Sequence, residues 1–186
     1  MYFSFKKAKI YFYLFIAALI TFICANSLKP TLKALFPLNY YQYIEKYSQN
    51  YNLDKFLVMS VISVESGFNA NAKSSKDAKG LMQLREPTAK WCMETFDIKS
   101  DKTDLFDPEL NIMIGCSYIR YLIDKYDGNT NTALAAYNAG EGNVSKWLKE
   151  KPDNPGYTLC SIPFAETENY IKKVNNRQKI HRFIYG

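Results

Sequence analysis

DKFLVMSVISVESGFNANAKSSKDAKGLMQLREPTA, residues 54 to 89, is the stretch whose reading decides the fold. Phe56 to Val64 is apolar at almost every position. That is too uniform for a helix with one wet face, and it predicts a helix buried on most of its sides. Asp54 offers an N-cap and Gly67 a residue for the turn after the end, which sets the helix at about Lys55 to Ser66. Glu65 then falls in its last turn. Desolvation by Val61, Ile62 and Val64 and the partial negative charge of the helix C-terminus both disfavour a carboxylate there, so both raise its pKa. A carboxylic acid that keeps its proton near neutral pH is what protonates a glycosidic oxygen as it leaves. The plainer alternative is a glutamate that leaves the helix and faces solvent.

The residues after Glu65 bear on that choice. Glu65-Ser66-Gly67-Phe68, then Asn69, Ala72, Ser74, Ala78, Gly80-Leu81-Met82-Gln83-Leu84 and Thr88-Ala89 form a long ordered pattern. It resembles the first motif of the lytic transglycosylases of the soluble type, the SLT catalytic domain, relatives of goose-type lysozyme. The resemblance implies a mainly α, lysozyme-like (α+β) fold with Glu65 as the single catalytic acid and base. Ala135-Ala136-Tyr137-Asn138-Ala139-Gly140, with Gly142 and Val144 after it, is similar to the family's second signature. Pro163, Glu166, Thr167 and Tyr170 resemble the third. By the same resemblance Ser74, Met82, Gln83, Thr88, Tyr137, Asn138, Glu166 and Tyr170 line the sugar cleft. Two positions depart from the pattern: Asp77 stands where the family usually has glycine, and Arg85-Glu86-Pro87 where it usually has Met-Pro-x. Aspartate tolerates a left-handed backbone, so the first change is a mild one.

A chain of 186 residues, 47% hydrophobic, can bury one sizeable core and hardly two. One compact helical domain with a catalytic cleft is expected over 40–186, preceded by an anchor over 1–28 and a stalk over 29–39 that holds Pro30 and Pro37. The anchor reading rests on Ile10 to Leu28, nineteen residues without a charge, with Lys6, Lys7 and Lys9 before them. That length just spans a bilayer, and the lysines favour a cytoplasmic N-terminus. The expectation is a single-pass cell-membrane protein with its catalytic domain on the extracytoplasmic side. A cleaved signal peptide ending at Ala25 is the rival.

Three of the 24 lysines and arginines precede the apolar run and none of the 18 acids does, so the rest of the chain carries +3. This mild excess suits an anionic cell envelope. No nucleic-acid-binding motif is present, and peptidoglycan glycan strands are the partner that the resemblance implies. A monomer without cofactor is expected. The sole histidine is His181 and no CxxC occurs, which argues against a zinc site. Cys92, Cys116 and Cys160 follow the apolar run and allow at most one disulfide with one thiol over; Cys92 and Cys116 fall on apolar helix faces, where buried free thiols are expected.

Elsewhere Tyr40, Tyr43, Ile44 and Tyr47 have the spacing of an amphipathic helix and are read as core. Thr88 to Phe96 reads as a helix. Asp107-Pro108 starts another that runs to about Tyr126, read as packing without chemistry of its own. From Lys172 to Arg182 there are five basic residues and no acid. Such a face is most often merely solvated, with contact to anionic lipid or wall polymer as the alternative. Three functions stay open at this point: a membrane-tethered lytic transglycosylase, a muramidase hydrolysing the same bond, and a wall-binding scaffold that keeps the fold.

Overall fold

The structure, a computed structural model, describes residues 5–35, 38–149, 157–159 and 161–186. Pro37 and Cys160 lie outside them. Every regular element among the described residues is a helix. The chain divides into two units, residues 1–38 with 184–186, and residues 39–183.

The first unit holds α1, Phe5–Leu35, with Pro30 inside it. Lys7–Ala34 is long and apolar enough to cross a membrane, at a mean hydropathy of 2.0. The helix continues through Pro30 and includes most of the stretch read as stalk.

The second unit is built around α3, Lys55–Glu65, and α5, Pro108–Lys125. Leu57, Val58, Met59, Val61 and Ile62 of α3 are at most 3% exposed, as expected of a helix without a wet face. Asp54 caps α3, its side chain accepting from Phe56 N at 2.9 Å. The same cap chemistry starts α5, where Asp107 accepts from Leu110 N at 2.9 Å and Pro108 occupies the first turn. Around α5 pack α2, Tyr41–Asn50, α4, Glu86–Thr95, and α6, Thr130–Ala139. Ile44 and Tyr47 of α2 are buried, so its stripe is core. Alanines 133, 135 and 136 are also buried, and their small side chains let α6 come close. Helix α7, Glu141–Lys149, follows α6, and α8, Ala165–Tyr185, ends the chain.

Helix α4 begins two residues earlier than the sequence suggests, because Pro87 in its first turn costs no hydrogen bond and starts the helix. Cys92 and Cys116 are buried free thiols, and burial pushes both thiol pKa values up.

Candidate active site

Glu65 is the last residue of α3. Just beyond it Gly67 and Phe68 both have positive φ, 58° and 65°, and turn the chain out of the helix axis. Ser66 fastens this turn: its hydroxyl reaches Leu81 O at 2.8 Å and Ile62 O at 3.2 Å, and its single proton serves the nearer one. The loop that follows is pinched by bridges between Lys73 and Lys79 and between Lys79 and Leu84.

What fixes the loop from below is Asn111, fully buried on α5. Its Oδ1 accepts from Met82 N at 2.7 Å, and its Nδ2 donates to Lys79 O at 3.0 Å and Leu105 O at 2.8 Å. Gly80 makes room for this node. It sits at φ 76°, and a Cβ there would lie 2.3 Å from both Asn111 Nδ2 and Leu105 O. Met82 presses its thioether onto Gly115 of α5, where a Cβ would meet the sulfur at 2.3 Å. Leu81, Met82 and Leu84 are at most 3% exposed, and each such burial stabilises by on the order of 1.5–3 kcal/mol. The expectation that α5 only packs is therefore corrected. One buried amide on α5 holds the cleft-forming loop.

Glu65 is half-buried, open enough for a substrate to reach. Burial nevertheless pushes its carboxyl up to about 7, with the Tyr170 hydroxyl acting weakly the other way. Among the described residues no second acid contributes to that shift. Tyr170, on α8, is 6% exposed, and its hydroxyl makes no hydrogen bond of ordinary length and angle, although it lies close enough to Glu65 for each to perturb the other. Tyr137, on α6, donates its hydroxyl proton to Met82 O at 2.7 Å. Its pKa is raised by burial first and then by the charge of Glu65. A tyrosine whose proton is committed elsewhere can offer the glutamate only a lone pair, which suits a protonated carboxyl.

The remaining expected site residues divide by what already holds them. Asn138 Oδ1 accepts from Thr167 Oγ1 at 2.8 Å, so the second and third signatures are joined through a threonine that is 2% exposed. Sequence reasoning gave Thr167 no part in the site, although its place inside the third signature was the available signal. Ser74 Oγ accepts from Ala78 N at 3.0 Å and Lys76 N at 3.3 Å and shapes its own loop, keeping one proton to give away. Gln83 donates from Nε2 to Ala72 O at 3.0 Å and Gly80 O at 2.9 Å, which leaves its carbonyl oxygen. Met82 is a correction: at 0% exposure its side chain cannot line a cleft, and what it contributes is its backbone carbonyl. Thr88 is half-buried on α4, and Glu166 is exposed in the first turn of α8, one turn before the buried Tyr170.

The two departures lie at the surface. Asp77 has φ 61°, the left-handed conformation that glycine would adopt there, and is exposed. It pairs with Lys73 at 2.9 Å, which holds its carboxyl below the usual range. Arg85 precedes α4 without capping it, and Glu86 pairs with Lys79 at 2.5 Å.

An acid at the end of a buried helix, two tyrosines beside it and a loop pegged to a central helix define a lysozyme-like helical fold. The model of the transglycosylase SLT domain matches residues 42–159, and the chain belongs to that family. It is 34% identical to the soluble lytic murein transglycosylase of Escherichia coli strain K12 over 166 residues, 87% of this chain and 26% of that protein. It is 33% identical to the membrane-bound lytic murein transglycosylase C of Sodalis glossinidius, over 75% of this chain and 45% of that one. The crystal structure of the 70 kDa soluble lytic transglycosylase of Escherichia coli superposes with a TM-score of 0.75 at 34% identity, covering 83% of this chain and 26% of the other. An inactive mutant of the Pseudomonas aeruginosa enzyme Slt gives 0.72 at 32% identity, over 81% of this chain and 25% of that one. The chain thus spans between a quarter and a half of the length of these relatives.

Proposed function

We propose that this chain is a lytic transglycosylase that cleaves the β-1,4 bond between N-acetylmuramic acid and N-acetylglucosamine in peptidoglycan and leaves 1,6-anhydromuramic ends. The observation that carries the reading is the carboxyl of Glu65, pushed to about 7 by burial with no second acid among the described residues acting on it. Most glycosidases use two carboxylates, one to donate a proton and one as nucleophile or water-activating base. With one acid, the substrate has to supply the nucleophile.

Glu65 gives its proton to the glycosidic oxygen as the bond to C1 breaks. The N-acetyl group of the substrate stabilises the cationic sugar. Glu65, now ionised, takes the proton of the C6 hydroxyl as that oxygen closes onto C1, and the acid is regenerated. Tyr170 suits the middle of this cycle, since its hydroxyl acts to lower the pKa of Glu65 and so favours the carboxylate. Tyr137, with its proton on Met82 O, faces the protonated form at the start and the end. Asn138, Gln83, Ser74, Thr88 and Glu166 would hold the glycan.

The chain reads as an anchor within 1–28, a connection over 29–39 and a catalytic domain over 40–186, in the cell membrane with the domain on the wall side. Resistance of the full-length chain to alkaline carbonate extraction supports the anchor, and a mature N-terminus at Asn26 removes it. Mass spectrometry of muropeptides released by the protein tests the chemistry. Anhydro ends, lighter by one water, are expected, and mainly reducing ends would make the protein a muramidase.

A further inference from the structure

We propose that the last four turns of α8 form a second membrane contact, a face that lies on anionic phospholipid. The inference rests on the reading of α1 as a membrane helix.

At about 100° per residue, Lys179, Lys172, Phe183, Asn176, Ile180, Lys173 and Arg177 occupy one arc of roughly 160° on α8, whose Arg177 edge also holds the buried Ile184. All seven are exposed, including two large apolar side chains, Ile180 at 45% and Phe183 at 53%. The opposite side is packed: Tyr170, Ile171, Val174 and His181 are at most 8% exposed. No acid follows Glu168, whose carboxylate pairs with Lys172 at the edge of the arc. Among the described residues the acid that reaches the C-terminal half comes from elsewhere, as Asp54 pairs with Arg182 at 2.5 Å, and Arg182 lies off the arc. Four cations around an isoleucine and a phenylalanine make a basic face with an apolar tip, the composition of helices that lie in a lipid interface. A soluble polyanion would be served by the cations alone and gives no reason to expose Ile180.

The covalent chain brings this face to lipid. The uncharged run Ile10 to Leu28 is roughly 28 Å long as a helix, about the thickness of the hydrocarbon core. Residues 29–35 continue it by roughly 10 Å into the headgroup layer. Helix α1 ends at Leu35 and the second unit begins at Asn39. Such a connection reaches at most about 3.6 Å per residue. The domain is therefore confined to the membrane surface, where even a weak interfacial face is almost always within reach of it. Holding α8 on the lipid would fix which way the cleft points, so that the glycan is cut in the layer next to the membrane.

The experiment uses the full-length chain reconstituted in vesicles of phosphatidylglycerol and phosphatidylcholine. Ile180→Trp supplies a probe, Lys90→Trp on the exposed side of α4 a control, and brominated phospholipid the quencher. Quenching of the Ile180→Trp protein well above that of the parent, with Lys90→Trp unchanged from it, is expected. Replacing Lys172, Lys173, Arg177 and Lys179 with Gln should return the quenching to the parent level, since each cation removed weakens anionic-lipid contact roughly fivefold. A carbonate-resistant chain whose residue 180 probe is not quenched overturns the lipid face and leaves the anchor standing. A chain that carbonate releases overturns both. Quenching that is absent with lipid, together with charge-dependent binding of the face to a soluble wall polyanion, assigns it to the polymer and overturns the proposal.

Discussion

The two ends of α3 carry one acid each, and the fold treats them in opposite ways. Asp54 at the N-terminal end is satisfied from three sides: it caps the helix through Phe56 N, accepts from Gln178 at 2.8 Å and pairs with Arg182 at 2.5 Å. Glu65 at the other end is given no cation among the described residues, sits where the helix dipole is negative, and is pushed up to about 7 by burial. The helix is the same apolar rod throughout. What differs is the company at its ends, and that company makes one acid a fastener and the other a reagent.

Glu65→Gln breaks the comparison most completely. It keeps the shape and removes the exchangeable proton, so peptidoglycan-degrading activity should fall by on the order of 10²-fold or more while the circular dichroism spectrum is unchanged. In the parent protein, activity should decline as pH rises through about 7, where the acid loses its proton.

The same variant should be more stable than its parent in alkali. Between the ordinary carboxyl range and about 7, the folded chain holds a proton that the unfolded chain has lost. Stability from this group is thus complete below that window and falls as pH rises through it. Glutamine does not titrate. Urea denaturation should show Glu65→Gln ahead by on the order of 2–3 kcal/mol at pH 8, with the two proteins level at pH 4.

Tyr170→Phe sharpens the contrast without abolishing it. The hydroxyl favours the ionised form of Glu65, so its loss should move the alkaline limb of the pH profile upward and lower kcat by about tenfold. At pH 4, where Glu65 keeps its proton in either protein, thermal stability should be unchanged, because the hydroxyl makes no hydrogen bond of ordinary length and angle. Asp54→Ala addresses the other end and should have the smallest effect. Loss of the cap costs about 1 kcal/mol, and the exposed pair with Arg182 adds less than that. The pH profile should keep its midpoint, and a shift would mean that the two ends are coupled.

Much of α3 was legible because each of its signals is local. A cap, an apolar run and a glycine after the end are all written within fourteen residues, and they give the helix and the place of Glu65. The capped start of α5 was legible for the same reason. Asn111 was not, because its role depends on three backbone groups from two other segments, and in sequence it is one polar residue among apolar ones. The hydroxyls of Ser74 and Tyr137 and the amide of Gln83 were placed in the site by resemblance. Their hydrogen bonds to nearby backbone could not be read from it, since a signature names residues and leaves open which of their atoms are already spent. Pro30 misled in the opposite direction: a residue that usually ends a helix is carried inside α1.

The fit of Met82 into the notch at Gly115 restricts what inheritance can do with this molecule. Any side chain at 115 collides with the thioether, and a smaller residue at 82 leaves a void under the loop that carries Gly80 and Gln83. A change at either position disturbs the fit, since the thioether has to move to admit a side chain at 115, so the two positions are coupled. The rim at Arg85, Glu86 and Pro87 is exposed and imposes no such pairing. A lineage adapting to a different wall could alter that rim one residue at a time, and the departures from the family pattern fall there and at the equally exposed Asp77.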